Sequence, residues 1–321
     1  MRVAVFGDIN LDLAIVIDTF PDPGEEVFAT TSRIGLGGSA VNTAVSLARL
    51  GVSTTIVAQV GDDPFGRFTI TELARARIDT SRVAVSPTEA TGLNLVTVSG
   101  DGERGMIGVR GANVTYRGEP DWLGDTDWLH LSGYALLTDP QRGAARRALS
   151  AAKEEGIPIS VDVPAGVGAR IGPSLADDLA GCHLVSGGPT ALIPITGPQD
   201  PVEALLALGV ERVAVTAGAA ICRLADRAGS VAVTPPAVEP VDATGAGDSF
   251  VAGLVAARLA GLARGPSLVV ATALGAAATT HRGAGTALGD TDRIRSILDG
   301  DMWVDAEPEW LEQATRFLTH T

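Results

Sequence analysis

The chain has 321 residues, 45% of them hydrophobic, and a formal net charge of −14. Its length allows one large α/β domain with a small accessory layer, and its charge argues against nucleic acid as a partner because polyphosphate would be repelled. Two cysteines, Cys182 and Cys222, are too few for a disulfide framework. The N-terminus lacks a signal-peptide pattern, and the most apolar stretch, 266–280, is too short to cross a membrane. We therefore expect a cytoplasmic protein with no membrane partner.

Buried strands alternate with helical segments along most of the chain. Runs rich in β-branched residues predict strands at 3–7, 55–59, 158–163 and 212–216. The segments between them are rich in Ala, Leu and Arg, which favour helices. This alternation predicts a mostly parallel sheet covered by helices on both faces.

Three stretches fall outside this alternation. Residues 14–34 and 91–110 are predicted to form strands of a small separate sheet, a candidate lid, with a turn at Gly100-Asp101-Gly102. Residues 301–321 have apolar positions at helical spacing, which predicts a C-terminal helical extension packed on the core. A contact with another subunit is the alternative for that extension.

Polar residues follow the first strand in the segment GDINLD. Asn10 and Asp12 come where the strands of doubly wound sheets end and ligands bind. Taken singly, each is also a common turn former. The segment lacks the G-x-G-x-x-G turn that seats a pyrophosphate, which argues against a dehydrogenase.

A first glycine-rich segment at 35–44 runs into a predicted helix that ends at Gly51. Gly37 and Gly38 allow a ligand to approach the backbone closely. Asn42, in the first helical turn, offers both a donor and an acceptor. This combination suits a polyol ligand.

The second glycine-rich segment, DATGAGDSF at 242–250, carries the most information. Gly245, Ala246 and Gly247 have almost no side chain, so their N–H groups can close on an anion where the next helix begins. An acid beside such an anion site, Asp248, favours a general base that accepts a proton from a hydroxyl. Phosphoryl transfer to an alcohol is predicted. The alternative is a helix start in which Asp248 is only an N-terminal charge.

Together these segments resemble the PfkB family of carbohydrate kinases, which have the ribokinase-like fold. GGSAVNTAVSLARLG at 37–51 is similar to the family's N-terminal signature, and DATGAGDSFVAG at 242–253 to its C-terminal one. GDINLD, PDPGE and VGDDPFG occur in the expected order, so the resemblance covers residues 1–300. It implies a three-layer α/β/α core with a mostly parallel sheet and a small β-sheet lid. It also implies a kinase that uses ATP and Mg²⁺ to phosphorylate a hydroxymethyl group of a sugar or sugar acid.

The resemblance assigns roles to matching positions. Asp248 is the implied base and 245–247 the implied anion hole. The implied substrate-binding residues are Asn10, Asp12, Gly37, Gly38, Asn42, Arg110 and Ser132. The nucleotide loop matches at Thr216 and Gly218, and a monovalent cation site, for K⁺, matches at Asp242 and Thr244 with the backbone near Gly283. Arg110 is alternatively a solvated lid residue, and Ser132 a buried hydroxyl bonded to backbone.

Two features depart from the family pattern. Gly188 and Ala191 replace the Asn and Glu of a motif that helps hold Mg²⁺ and the nucleotide phosphates. Ile221 replaces a glycine of the nucleotide loop, where its branched side chain would either crowd the phosphates or force a different backbone path. Mg²⁺ is held largely through water and phosphate, so its use is expected to weaken rather than disappear. Asp162 is a candidate compensating acid, with a strand-end Asp bonded to backbone as the alternative.

Three interpretations remain open from the sequence. The segment LHLSGYALL at 129–137 resembles that of sugar and 2-keto-3-deoxy sugar-acid kinases in the family, which favours a sugar or sugar-acid kinase. A nucleoside kinase is the second, although only 4% of the residues are aromatic and few can stack on a base. The third is a non-catalytic sugar-binding relative, because the positions expected to hold Mg²⁺ and the nucleotide phosphates have lost polar groups. The family also suggests a homodimer in which a second subunit completes the lid.

Overall fold

The computed structural model describes residues 1–98 and 104–319, so the predicted turn at 100–102 lies outside the described residues. The strands are β1 (Arg2–Phe6), β2 (Asn10–Val16), β3 (Thr31–Gly37), β4 (Ser53–Gly61), β5 (Asp79–Ser86), β6 (Gly92–Val98), β7 (Arg104–Val109), β8 (Trp128–Ser132), β9 (Ile159–Val163), β10 (Leu184–Gly187), β11 (Arg212–Ala217), β12 (Ala220–Asp226) and β13 (Gly229–Val233). The helices are α1 (Ser39–Arg49), α2 (Pro64–Arg75), α3 (Gln141–Glu154), α4 (Ala165–Ile171), α5 (Ala176–Leu179), α6 (Pro189–Thr196), α7 (Pro201–Ala207), α8 (Ala246–Leu259), α9 (Arg264–Thr279), α10 (Thr291–Leu298) and α11 (Pro308–Thr319).

A nine-stranded sheet forms the centre of the molecule, in the order β13-β12-β11-β10-β9-β8-β1-β4-β5. Neighbouring strands are parallel except at the β11–β12 and β12–β13 pairs, which are antiparallel. The four strands predicted from β-branched runs are β1, β4, β9 and β11. The predicted mostly parallel sheet is therefore confirmed.

Helices cover both faces of this sheet because its strands are apolar on both sides. In β1, Val3 and Val5 join a core under α1, α8 and α9, whereas Ala4 and Phe6 join a second core under α3, α6 and α7. This follows from the alternation of side chains along a strand. The apolar stretch at 266–280 lies in α9, which is buried as predicted. No helix among the described residues is long and apolar enough to cross a membrane.

A second, four-stranded sheet has the order β3-β2-β6-β7. The β2–β6 pair is parallel, and the β2–β3 and β6–β7 pairs are antiparallel. Its strands come from the two stretches predicted for a small sheet, but β2 begins earlier, at Asn10, and β3 extends to Gly37. Asn10 and Asp12 are therefore strand residues and not part of a turn.

The C-terminal helix α11 packs on the rest of the molecule. Ala314 and Leu318 have no exposed surface and belong to the core under α8 and α9. Trp303, Trp310 and Phe317 pack against the same core while remaining partly exposed.

Candidate active site

A cleft of about 570 Å³ lies between the carboxyl ends of the central strands and the small sheet. It is the place where doubly wound sheets bind ligands. Among its lining residues are ten predicted from sequence: Asn10, Asp12, Gly38, Asn42, Arg110, Thr216, Thr244, Gly245, Gly247 and Asp248. The fold thus gathers into one site residues that are more than 200 positions apart in the chain.

Asp248 lies in the first turn of α8, and both of its carboxylate oxygens accept hydrogen bonds from α1. Ser39 Oγ donates to Oδ1 at 2.5 Å, and Asn42 Nδ2 donates to Oδ2 at 2.8 Å. Burial raises the pKa of Asp248, and the two donors lower it. The result is an ionisable carboxylate with a fixed orientation in the cleft.

The turn before Asp248 requires glycine at one position. Gly245 has φ +79°, a left-handed conformation, and a Cβ there would lie 2.8 Å from Leu288 Cδ2. Gly245 and Gly247 line the cleft at the positive end of α8. Ala246 does not line it, and its N–H donates to the Ala243 carbonyl oxygen at 3.2 Å. Of the three positions expected to form the anion hole, only the two glycines line the cleft.

Asn42 links three segments of the site. Its Nδ2 donates to Asp248, and its Oδ1 accepts from the Gly285 N–H at 2.7 Å. Both ends of the amide are therefore used within the protein, although the residue was expected to hold sugar hydroxyls. Gly38, just before α1, has φ +100°, and a Cβ there would lie 2.3 Å from the Asp8 carbonyl oxygen. Glycine at this position allows α1 to start against the end of β1.

The small sheet contributes a row of polar side chains. Asn94 Nδ2 donates to Asp12 Oδ1 at 2.9 Å, and Asn113 Nδ2 donates to Asn10 Oδ1 at 3.0 Å. Burial, reinforced by the negative charge of Asp242, raises the pKa of Asp12 to about 6 despite the bond from Asn94. Gly37 does not line the cleft, but its lack of a side chain leaves room for the Asp12 carboxylate, which lies about 2 Å from where a Cβ would be.

Arg110 is held in place and is not a solvated lid residue. Its Nε and Nη2 donate to the two carboxylate oxygens of Asp8 at 2.8 and 3.0 Å, and Nη2 also reaches Gln141 Oε1 at 2.5 Å. Gln141 Nε2 in turn donates to Asp8 at 2.8 Å. Neither Asp8 nor Gln141 was predicted from sequence as a site residue, yet both fix the guanidinium at the cleft wall.

Asp242 joins the α8 turn to the segment after α9. Its Oδ1 accepts from the Thr244 N–H at 2.7 Å, and its Oδ2 accepts from the Gly283 N–H at 2.8 Å. The three positions expected around a monovalent cation are therefore together. The described residues contain no group of three or more His, Cys, Asp or Glu side chains placed to hold a metal ion.

The side of the cleft where the nucleotide was expected is lined by Asp162, Gly188, Thr190 and Thr216. Burial, and next the charge of Asp248, raise the pKa of Asp162 to about 8. Ala191, the position expected for a glutamate, is buried in the core.

Ser132, Gly218 and Ile221 also do not line this cleft. Ser132 has no exposed surface, and its hydroxyl is buried without a hydrogen-bond partner, so neither the pocket role nor the backbone-bonded alternative describes it. Gly218 is absent from the lining, and so is Ile221, which is 58% exposed. An exposed Ile221 does not crowd the cleft.

Comparison with known proteins defines the class of this one: it is a sugar kinase, a phosphotransferase that acts on a sugar hydroxyl. The chain belongs to the pfkB family of carbohydrate kinases, which it matches over residues 1–291. The family, fold and enzyme class expected from the glycine-rich segments are thereby confirmed.

Relatives and solved structures agree with this assignment. The fructokinase of Klebsiella pneumoniae is 32% identical over 318 residues, covering 92% of this chain and 99% of the relative. Arabidopsis thaliana ribokinase complexed with ribose and ATP has a TM-score of 0.81 and 25% identity, covering 94% of this chain and 99% of that chain. A fructokinase double mutant from Vibrio cholerae, bound to fructose, ADP and potassium ion, has a TM-score of 0.75 and 27% identity, covering 93% and 98%.

Proposed function

We propose that the protein transfers the γ-phosphoryl group of ATP to a hydroxymethyl group of a sugar, with Asp248 as general base. The observation that carries this proposal is the pair of hydrogen bonds, from Ser39 and Asn42, that hold both Asp248 oxygens inside the cleft. A carboxylate aimed in this way beside a helix N-terminus suits proton removal next to a phosphate.

The chemistry follows from the positions of these groups. The acceptor O–H gives its proton to Asp248, the hydroxyl oxygen forms a bond to the γ-phosphorus, and the bond to the bridging oxygen of ADP breaks. Burial makes Asp248 a stronger base, because it raises the pKa, while the two donors keep it oriented. The Gly245 and Gly247 backbone, with the helix dipole, stabilises charge on the transferred group, and a single donor of this kind contributes about 10²- to 10³-fold in rate.

Cations have candidate ligands on both sides of Asp248. Mg²⁺, which supplies charge neutralisation to the nucleotide phosphates, would be held by the phosphates, water and the Asp162 carboxylate. Asp162 suits this role because it lines the cleft and its raised pKa would fall beside a divalent cation. K⁺ would bind near Asp242, whose two oxygens accept the Thr244 and Gly283 N–H groups and so bring the α8 turn and the segment after α9 together around one carboxylate.

The acceptor side favours a polyol. Asn10, Asp12 and Asn94 line it with short polar side chains on neighbouring strands. Aromatic groups are scarce there: Tyr134 is the one aromatic lining residue within the described part of the chain, which argues against a nucleoside because a base binds by stacking. A sugar or sugar acid therefore fits better.

A homodimer through the small sheet is part of the proposal. Its strands leave apolar side chains exposed on one face, with Ile34 at 54%, Ile107 at 59% and Val109 at 61%. Apolar residues grouped on one sheet favour association. A second copy would cover them and complete the lid over the acceptor.

The test is ADP release from ATP and Mg²⁺ over pentoses, hexoses, keto-sugar acids and nucleosides. Asp248→Asn should lower turnover by about 10²- to 10⁴-fold while the protein stays folded. Asp292→Asn is the matched control, since Asp292 is an exposed acid in the first turn of α10 outside the cleft. Turnover by Asp248→Asn near that of the wild type would refute Asp248 as base. Sugar binding by calorimetry with no turnover of any acceptor would favour a non-catalytic sugar-binding relative.

A further inference from the structure

A second cavity of about 320 Å³ adjoins the cleft. Its lining residues are Arg110, Leu137, Thr138, Arg142, Arg170, Ile171 and Ser174. Arg110, Leu137 and Arg170 line both spaces, so the second cavity continues the first. Its wall presents three guanidinium groups and two hydroxyls.

The three arginines have donor capacity that the protein does not use. Arg110 Nη1 and Arg142 Nε are buried without a hydrogen-bond partner. Arg170 is exposed and forms no hydrogen bond or ion pair within residues 1–98 and 104–319. Buried donors are normally paired, so unpaired arginine nitrogens grouped around one cavity indicate a ligand that accepts hydrogen bonds.

Charge at this cavity is positive in a chain of net charge −14. Arg110 is paired with Asp8, and Arg142 is paired with Asp139, but neither carboxylate lines the cavity. Arg170 has no carboxylate partner among the described ion pairs and remains uncompensated. Local positive charge focuses an anion toward the cavity despite the acidic character of the whole molecule.

The cavity is also placed to act together with the base. Tyr134 lines the cleft together with Asp248 and Arg170, and its carbonyl oxygen accepts a hydrogen bond from Arg110 Nη2 at 2.9 Å. A ligand of monosaccharide size that presents a hydroxyl to Asp248 would therefore have its far end near Arg170.

We infer that this arginine cavity binds an anionic substituent, a carboxylate or a phosphate, at the end of the acceptor remote from the phosphorylated hydroxyl. Guanidinium groups bind both anions through paired N–H donors, and Thr138 and Ser174 supply further donors. The inference rests on the proposed function for the role of the acceptor hydroxyl. It narrows the substrate to acidic sugars or sugar phosphates.

Calorimetry in the absence of ATP tests the cavity separately from catalysis. The probes are D-fructose, D-fructose 6-phosphate and 2-keto-3-deoxy-D-gluconate, applied to wild type, Arg170→Gln and Arg142→Gln. We expect one anionic probe to bind the wild type about tenfold or more tightly than fructose, because a charge-assisted hydrogen bond contributes at least about that much. Arg170→Gln should abolish this preference.

The matched control is Arg227→Gln, which removes an exposed arginine on the β12–β13 turn at the opposite end of the sheet. It should keep the wild-type preference. The anionic probe that shows the preference identifies carboxylate or phosphate as the bound group. Three results would overturn the inference. Fructose could bind as tightly as both anionic probes, or neither anionic probe could bind at all. The third is a preference for an anionic probe that survives both Arg170→Gln and Arg142→Gln.

Measuring ADP release alongside probe binding distinguishes a failure of this inference from a failure of the proposed function. Arg170-dependent binding of an anionic probe without ADP release would leave the cavity assigned and refute the kinase mechanism. ADP release with fructose, together with equal binding of neutral and anionic probes, would support the mechanism and refute the role of the cavity.

Discussion

Replacing Ser39 by alanine tests how the protein sets the ionisation of Asp248. Ser39 Oγ donates to Asp248 Oδ1 at 2.5 Å, a hydrogen bond to a charged acceptor. Such a bond contributes about 1.5–3 kcal/mol, and about 1.4 kcal/mol corresponds to one pH unit. The bond favours the ionised carboxylate, so its removal should shift the acid limb of the pH profile of kcat/KM upward by about one to two pH units.

The assay is ADP release with the accepted sugar from about pH 5 to about pH 9. Above the shifted limb, Ser39→Ala should recover most of its activity, because Asn42 still holds the second oxygen at 2.8 Å. Ser46→Ala is the matched control: Ser46 lies on the same helix but bonds to Ser249 Oγ at 3.1 Å and not to Asp248. An equal loss at every pH, with the acid limb unmoved, would refute the argument that Ser39 sets the ionisation of the base.

Two further predictions concern stability. Asp162 has a pKa raised to about 8, so the folded protein binds more protons than the unfolded chain from about pH 4 to about pH 8, and its stability falls as pH rises. Without nucleotide or Mg²⁺, the stability of Asp162→Asn relative to wild type should therefore increase between about pH 5 and about pH 9, by at least about 1.4 kcal/mol in the free energy of unfolding, and its melting temperature should rise relative to wild type accordingly. A stability difference that does not change with pH would contradict this. The Leu318 side chain has no exposed surface, so Leu318→Ala should lower the free energy of unfolding, measured in urea, by about 2–5 kcal/mol. Val304 is 82% exposed, so Val304→Ala should lower it by less than about 0.5 kcal/mol. Equal losses would mean that α11 does not pack as described.

The turn that carries Asp248, the proposed base, could be located from sequence because its features are local. A small-residue turn, an acid and an apolar helix follow one another within 242–259, and each is needed for an anion site at a helix N-terminus. The α/β core was predictable for a similar reason. Strands buried on both faces are rich in β-branched and other apolar residues, which distinguishes β1, β4 and β9 from the surrounding helices.

The partners of the predicted residues were harder to find because they depend on contacts between distant segments. Asn94 meets Asp12 only through the register of β2 and β6, and an alternating strand contains several polar residues with no local sign of which one faces a ligand. Asp8 was visible in GDINLD, but its role depends on Arg110, which is 102 positions away. Gly218 and Ser132 do not line the cleft, because a match to a family motif in sequence order does not fix where a residue lies in the fold.

Asn42 bonds to both Asp248 and Gly285, and these two hydrogen bonds bear on the order in which the molecule folds. Its two hydrogen bonds join segments 206 and 243 residues apart, so they form only after the last third of the chain has docked on the first fifty residues. Contacts of such high sequence separation are slow to form, because the intervening chain must first be ordered. Recovery of turnover during refolding should therefore lag behind recovery of secondary structure, and an N-terminal fragment leaving the ribosome lacks Asp248, the proposed base, until most of the chain has been made.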